Sequence, residues 1–264
     1  MTLSEKTASL LGGEEYEIDS IGMSGSRVYL GKNKILKVQE QGEEAENEYR
    51  MLQYLQGKLP VPMLYAHEIW EGKSYLLMSR CEGEMACSQS YMTEPALLCS
   101  LLAKGLKLLW SMDVGDCPSD QRLHRKLAMA RYNIENGLVD LDNVEPDTFG
   151  EKGFQDPYEL LEWLYENKPE EEPVLSHGDF CLPNLFGVRS RVSGYIDLGR
   201  AGMADKWCDI ALCYRCLSHN YGGKYSIQGM AAWKEYDDLL LFRELGMEPD
   251  WEKIRYYILL DELF

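Results

Sequence analysis

Along the first eighty residues apolar positions come in short alternating runs, and beyond them they recur at helical spacing. EYEIDSI, SRVYLG and KILKVQ read as strands separated by Gly- and Asn-containing turns. EEAENEYRMLQYLQGK places Ala45, Tyr49, Leu52 and Leu55 on one helical face and closes with Gly57 and Lys58. A proline-marked bend, LPVP, precedes two further strands, LYAHEIW and SYLLMS, joined by the turn EGK. After Gly83 the texture changes. ALLCSLLAKGLKLLWSM, RLHRKLAMARYNIENGL and PYELLEWLYENK all carry helical periodicity, and two more helices follow Gly222-Gly223, the last ending in KIRYYILLDELF. These periods predict an α+β, two-lobed chain: a β-rich lobe with one key helix over residues 1–82, and a mostly helical lobe over 83–264. A cleft is expected between them.

One window breaks the helical texture with polar residues in a fixed order. His177-Gly178-Asp179 is followed by Asn184, and Asp197-Leu198-Gly199 stands at the end of the strand VSGYID. Two β segments, NLFGV and VSGYID, lie between the Asn and the second Asp. Phosphoryl transfer needs one carboxylate to orient a hydroxyl and receive its proton, and oxygen ligands for Mg²⁺. An Asp, an Asn and a second Asp supply those groups. The glycine after the second Asp is expected to permit a tight turn. Taken singly, such tripeptides mark ordinary turns. Corroboration comes from upstream, where Lys37 lies on the strand KILKV and acidic residues lie on the next helix. No G-x-x-x-x-G-K-[ST] occurs, which removes the P-loop route to a nucleotide.

H-G-D-x-x-x-x-N and D-L-G resemble the catalytic and metal motifs of the kinase superfamily, in the form used by its small-molecule branch. SHGDFCLPN, IDLGRAGMADKWCDIA, LPVP and the terminal YYILLDELF resemble the aminoglycoside 3′-phosphotransferases, and the resemblance covers the whole chain. It implies a two-lobed protein-kinase-like fold and transfer of the γ-phosphoryl group of ATP, or of GTP, to a hydroxyl, the 3′-OH, of drugs such as kanamycin or neomycin, which confers resistance. Asp179 would be the catalytic carboxylate, and Asn184 and Asp197 the Mg²⁺ ligands. Lys37 would hold the phosphates with Glu48, which fits the family spacing to LPVP; Glu44 and Glu46 could take the same pairing role. IGMSGSRVY would cover the phosphates through Met23 and Ser24 between Gly22 and Gly25. Adenine would meet the backbone of Ser79 and Cys81. Ile35 stands where relatives stack an aromatic ring, a loss of roughly 0.5–1.5 kcal/mol.

The resemblance also implies an acceptor site built from Asp261, Glu262 and the α-carboxylate of Phe264. Arg200 and Arg215 would organise these carboxylates, and Glu145 with the acidic stretch 140–172 would form another wall. Asp205 and Asp209 are expected to hold the catalytic loop, and His177 to act as a structural hydrogen-bonder. Leu182, His219 and Asn220 depart from the pattern, standing where relatives can carry acidic residues. Kinases for choline, homoserine or a thioribose are the nearest alternative. Protein kinases are disfavoured because no A-P-E segment follows Asp197, and a pseudokinase because Lys37, Asp179, Asn184 and Asp197 are all present.

Composition then narrows the partners. Among 264 residues, 27 Lys+Arg face 44 Asp+Glu, a formal charge of −17. That balance argues against nucleic acid and anionic membrane as partners and permits a positively charged one, although many proteins are acidic simply to stay soluble. Twelve of the acids crowd residues 140–172. The N-terminus shows no export signal, no run is long enough to span a bilayer, and the eight scattered cysteines read as reduced thiols. A cytoplasmic monomer or weak dimer is expected. Cys208, Cys213 and Cys216, with His219 nearby, have part of an iron–sulfur spacing. They sit in the apolar helix WCDIALCYRCLSH, which favours core cysteines over a metal site.

Overall fold

The computed structural model describes residues 9, 11–12, 16–18, 26–224 and 236–264. Five antiparallel strands form the first sheet: β1 (Glu17–Ile18), β2 (Arg27–Leu30), β3 (Lys34–Glu40), β4 (Leu64–Trp70) and β5 (Lys73–Ser79), in the order β1-β2-β3-β5-β4. Alternation in β3 and β5 divides the two faces. Leu36, Val38, Tyr75 and Leu77 build a small apolar cluster on one. Leu76 and Met78 belong to the main core on the other. Lys37 pairs in register with Leu76, so its side chain projects to the main-core face.

Helix α1 (Glu43–Leu55) follows β3 and buries Ala45, Met51, Leu52 and Leu55 at helical spacing. Its stripe also buries two polar residues, Asn47 and Glu48. Glu48 is paired with Lys37, and the Asn47 amide nitrogen with two backbone carbonyls, which offsets most of the desolvation cost of burying them.

The rest of the chain is mostly helical, with small sheets at the lobe junction. Beyond α2 (Gln89–Met92), helix α3 (Pro95–Trp110) runs through the core, with Leu98, Leu101, Leu102 and Leu106 fully buried. Helices α4 (Leu123–Glu135) and α5 (Pro157–Glu166) pack together, and α6 (Lys206–Tyr221) packs on α8 (Trp251–Asp261) with α7 (Leu240–Leu245) between them in the chain. Strands β6 (Glu84–Met85), β8 (Leu185–Val188) and β9 (Arg191–Tyr195) form one small sheet, and β7 (Pro173–Ser176) pairs with β10 (Gly202–Asp205). The α+β, two-lobed reading holds. β6, β7, β10 and α2 were not anticipated, because segments of two to four residues are too short to show a period.

Asp156 caps α5, accepting the N–H groups of Tyr158 and Glu159, and Asp205 and Asp250 cap α6 and α8. Among the described residues no helix is long and apolar enough to cross a membrane.

Candidate active site

Lys37 is the pivot of a buried ionic triad. Its Nζ donates at 2.8 Å to Glu48 Oε2 and at 2.8 Å to Asp197 Oδ1, joining the sheet, α1 and the loop after β9. Burial alone would drive the ammonium to lose its proton. The two carboxylates reverse this and hold its pKa above the ordinary value. Burial also pushes Glu48 up, while Asp197, more open to solvent, is drawn below the usual carboxylate range by Lys37. The choice among three acids is therefore decided by geometry. Glu46 is exposed, and Glu44 turns to Arg200 instead.

The catalytic-loop residues gather a short distance away. Asn184 Nδ2 donates at 2.9 Å to both the backbone carbonyl and Oδ2 of Asp179. That orients the amide and leaves its oxygen, a hard donor, for a cation. His177 is fully buried; its Nε2 lies 2.9 Å from the Ile196 carbonyl and its Nδ1 accepts the Asp179 N–H at 3.3 Å. These contacts fit the neutral Nε2–H tautomer and a structural role.

Asp209, fully buried on α6, accepts the His177 and Gly178 N–H groups at 2.7 and 2.9 Å and so holds the loop from beneath. Asp205 differs from expectation. It caps its own helix and accepts the Glu172 N–H at 3.3 Å and the Tyr257 hydroxyl at 2.7 Å, holding these elements rather than the loop.

Backbone geometry brings the two loops together. Gly178 sits at φ 81°, and a Cβ there would collide with the Arg200 carbonyl. After the second Asp the expectation is corrected: Asp197 itself adopts the left-handed conformation, at φ 60° and ψ 59°. Gly199 has a negative φ and serves close packing, since a Cβ there would lie 3.2 Å from the Glu44 carbonyl oxygen. Asn47, which the sequence did not single out, locks this turn to α1 by donating to the Gly199 and Ala201 carbonyls at 2.9 and 2.8 Å.

An open cleft of about 960 Å³ runs along Lys37, Asp179, Asp197, Arg200 and Phe264. Ile35 and Ser79 lie on the strands beside it, and Cys81 follows β5. The Ser79 N–H is already donated to Met63 O at 2.9 Å, which leaves no backbone donor there for a base. Ile35 packs partly buried against the main core. Met23 and Ser24 lie outside the described residues.

A second cavity, of about 900 Å³, opens on the other side of Phe264. Asp140, Glu145, Asp261 and Glu262 line it, as do Arg215, His219 and Lys224. Arg215 bridges Asp261 and Glu262, the latter at 3.1 Å, and Arg200 donates to Glu44 at 2.8 Å and to Asp261 at 3.4 Å. Burial opposes the charge on both arginines, and the facing carboxylates hold their pKa values above the ordinary one. Asn133 donates to the Leu263 carbonyl at 2.9 Å, and Leu263 is fully buried, so the chain end is docked.

A family model described as "Phosphotransferase enzyme family" matches residues 15–256. The chain belongs to the phosphotransferase enzyme family. An aminoglycoside 3′-phosphotransferase of Enterococcus faecalis is 40% identical over 100% of this chain and 99% of its own. One from Staphylococcus aureus is 40% identical with the same coverage. The crystal structure of an aminoglycoside 3′-phosphotransferase of type VIII superposes with a TM-score of 0.79 at 26% identity, covering 98% of this chain and 97% of its own. Structural neighbours of this kind carry the protein-kinase-like fold.

Within that family frame three expectations about the second cavity change. Leu182 is fully buried in the main core and absent from the lining, because the turn Leu182–Asn184 points it inward. Of the stretch 140–172, only Asp140, Asn143, Val144 and Glu145 reach the cavity. The remaining acids serve elsewhere: Glu171 accepts the Leu123 N–H at 2.8 Å and Glu172 pairs with Lys206 at 2.6 Å.

Glu145 is already met by His219 Nε2 at 2.8 Å and Lys224 at 3.2 Å. Asn220 lines the same wall and donates to the Cys216 carbonyl at 2.8 Å. Cys208, Cys213 and Cys216 are buried as expected, and among the described residues no cluster of three metal-ligating side chains forms. The second cavity therefore presents a charge-compensated wall rather than a bare acidic one.

Proposed function

We propose that this phosphotransferase moves the γ-phosphoryl group of ATP to the 3′-hydroxyl of an aminoglycoside such as kanamycin or neomycin. The observation that carries this reading is a pair of cavities that share Phe264: Asp179, Asp197 and Arg200 line the first, and Asp261, paired with Arg200, lines the second. One cavity holds Lys37. The other is lined by carboxylates suited to a polycationic sugar. Relatives named aminoglycoside 3′-phosphotransferase, 40% identical over the whole chain, support the same acceptor.

The residues divide the work. Lys37, held by Glu48, contacts the phosphates. The Asn184 amide oxygen and the Asp197 carboxylate fit a Mg²⁺ ion, which when bound neutralises triphosphate charge. Asp179, aligned by Asn184, orients the acceptor hydroxyl and takes its proton. Asp261 and Glu262, fixed by Arg200 and Arg215, receive ammonium groups, with charge-assisted hydrogen bonds worth roughly 1.5–3 kcal/mol each. The backbone beyond Ser79, at Cys81, receives the base through its N–H, since the Ser79 N–H is spent on Met63. Glu145 acts through its pairing with His219 and Lys224.

ADP release with Mg²⁺-ATP tests the proposal against a panel of kanamycin, neomycin, a kanamycin lacking the 3′-hydroxyl, and choline. Turnover is expected with the first two alone. Asp179→Ala is expected to lower kcat by about 10²–10⁴ while ATP still binds. Turnover of choline but not kanamycin would sink the reading.

A further inference from the structure

Each oxygen of the Asp179 carboxylate has its own donor. Asn184 serves Oδ2, and the thiol of Cys181 donates to Oδ1 at 3.1 Å. The Cys216 sulfur lies beside it: the adjoining Leu182 N–H donates to Cys216 Sγ at 3.4 Å. Both sulfurs line the acceptor cavity, Cys181 partly exposed and Cys216 8% exposed. Two neighbouring thiols that line one cavity thus include the donor to the catalytic carboxylate.

We propose that Cys181 and Cys216 are a covalent modification site, a dithiol that low-molecular-weight disulfides convert to an intramolecular bridge, stopping turnover. The inference rests on the reading of Asp179 as the residue that orients the acceptor. The Cys216 thiolate attacks one sulfur of the oxidant RSSR, the S–S bond of RSSR breaks, and RS⁻ leaves with the proton that Cys216 gave up. Cys181 then attacks the Cys216 sulfur of the mixed disulfide and expels a second RS⁻, which takes the Cys181 proton. Two protein thiols lose two electrons and RSSR becomes two RSH. Cys216 suits the first attack, since its sulfur accepts the Leu182 N–H at 3.4 Å and the Asn220 amide N–H at 3.5 Å, contacts that favour a thiolate. A bridged Cys181 has no hydrogen to donate, so Asp179 Oδ1 loses its partner and the catalytic loop is tied to α6.

Reduced full-length protein is exposed to oxidised glutathione, digested without reduction and examined by peptide mass spectrometry. A Cys181–Cys216 cross-linked peptide is expected, and kanamycin turnover of the bridged fraction should fall about tenfold or more, recovering with dithiothreitol. Phenylarsine oxide, which captures paired thiols, should bind reduced protein one-to-one and block the cross-link. In Cys216→Ser, and in Cys216→Ala should the serine disturb folding, the ratio of oxidised to reduced activity should stay near one. Absence of the cross-linked peptide after exhaustive oxidation overturns the proposal, as does a bridged fraction that turns over at the reduced rate. An inactive reduced enzyme would instead count against the aminoglycoside reading, and the mass-spectrometric result would still decide whether the bridge forms.

Discussion

The two cavities handle charge in opposite ways. In the cleft, one cation, Lys37, holds two carboxylates from distant parts of the chain, with Lys37 and Glu48 sealed from water and Asp197 open to it. At the wall of the second cavity, carboxylates are met by basic groups: Asp261 by Arg200 and Arg215, Glu262 by Arg215, and Glu145 by Lys224 and the His219 ring. The difference teaches which charges do structural work. The triad welds the sheet to the helical lobe, so its removal should cost stability first. The acceptor wall is more open and partly screened, so changes there should register in substrate binding.

Substitutions separate these roles. Lys37→Met strands two acids of the triad and is expected to destabilise the fold by about 3 kcal/mol, read by urea unfolding, besides abolishing turnover. A loss no larger than that of an exposed lysine would break the contrast. Asp209→Ala leaves the buried His177 N–H without its acceptor and the Gly178 N–H with Ser176 Oγ alone, at 3.1 Å. It should cost about 2–3 kcal/mol and lower kcat, although Asp209 belongs to neither cavity.

Arg215→Gln releases Asp261 and Glu262. The KM for kanamycin should change several-fold, while the KM for ATP stays within about twofold in steady-state assays. The smallest effect concerns pH. Burial holds His219 below its ordinary pKa of 6.5, so the folded chain prefers the neutral ring. Stability from this group is therefore level above pH 6.5 and falls as the pH drops below it, because the unfolded chain binds the proton first. His219→Gln should flatten that part of the thermal-melting profile between pH 6.5 and 5.

Much of the fold was legible because the longer elements carry their own period. β3, α1, α3 and α6 each bury the residues that their spacing nominates. Asp179, Asn184, Asp197 and Lys37 were legible because residue types in a fixed order reflect chemistry that few other arrangements serve. Asn47 was not, since an asparagine amid EEAENEYR looks like solvated helix surface until the Gly199 and Ala201 carbonyls arrive from 152 and 154 residues away. Cys181 was hidden for the same reason: only folding sets its thiol on Asp179. The acidic run 140–172 misled in the other direction, because clustering in sequence did not become clustering in space.

By itself the sequence determined the α+β class, the order of the longer elements and the phosphotransferase family. These depend on local periodicity and residue chemistry. The tertiary structure decided which acid meets Lys37, that Asp197 rather than Gly199 takes the left-handed turn, and that the acceptor carboxylates are already paired with cations. Those outcomes depend on contacts between segments far apart in the chain, where burial and charge balance are set only once the lobes have closed on each other.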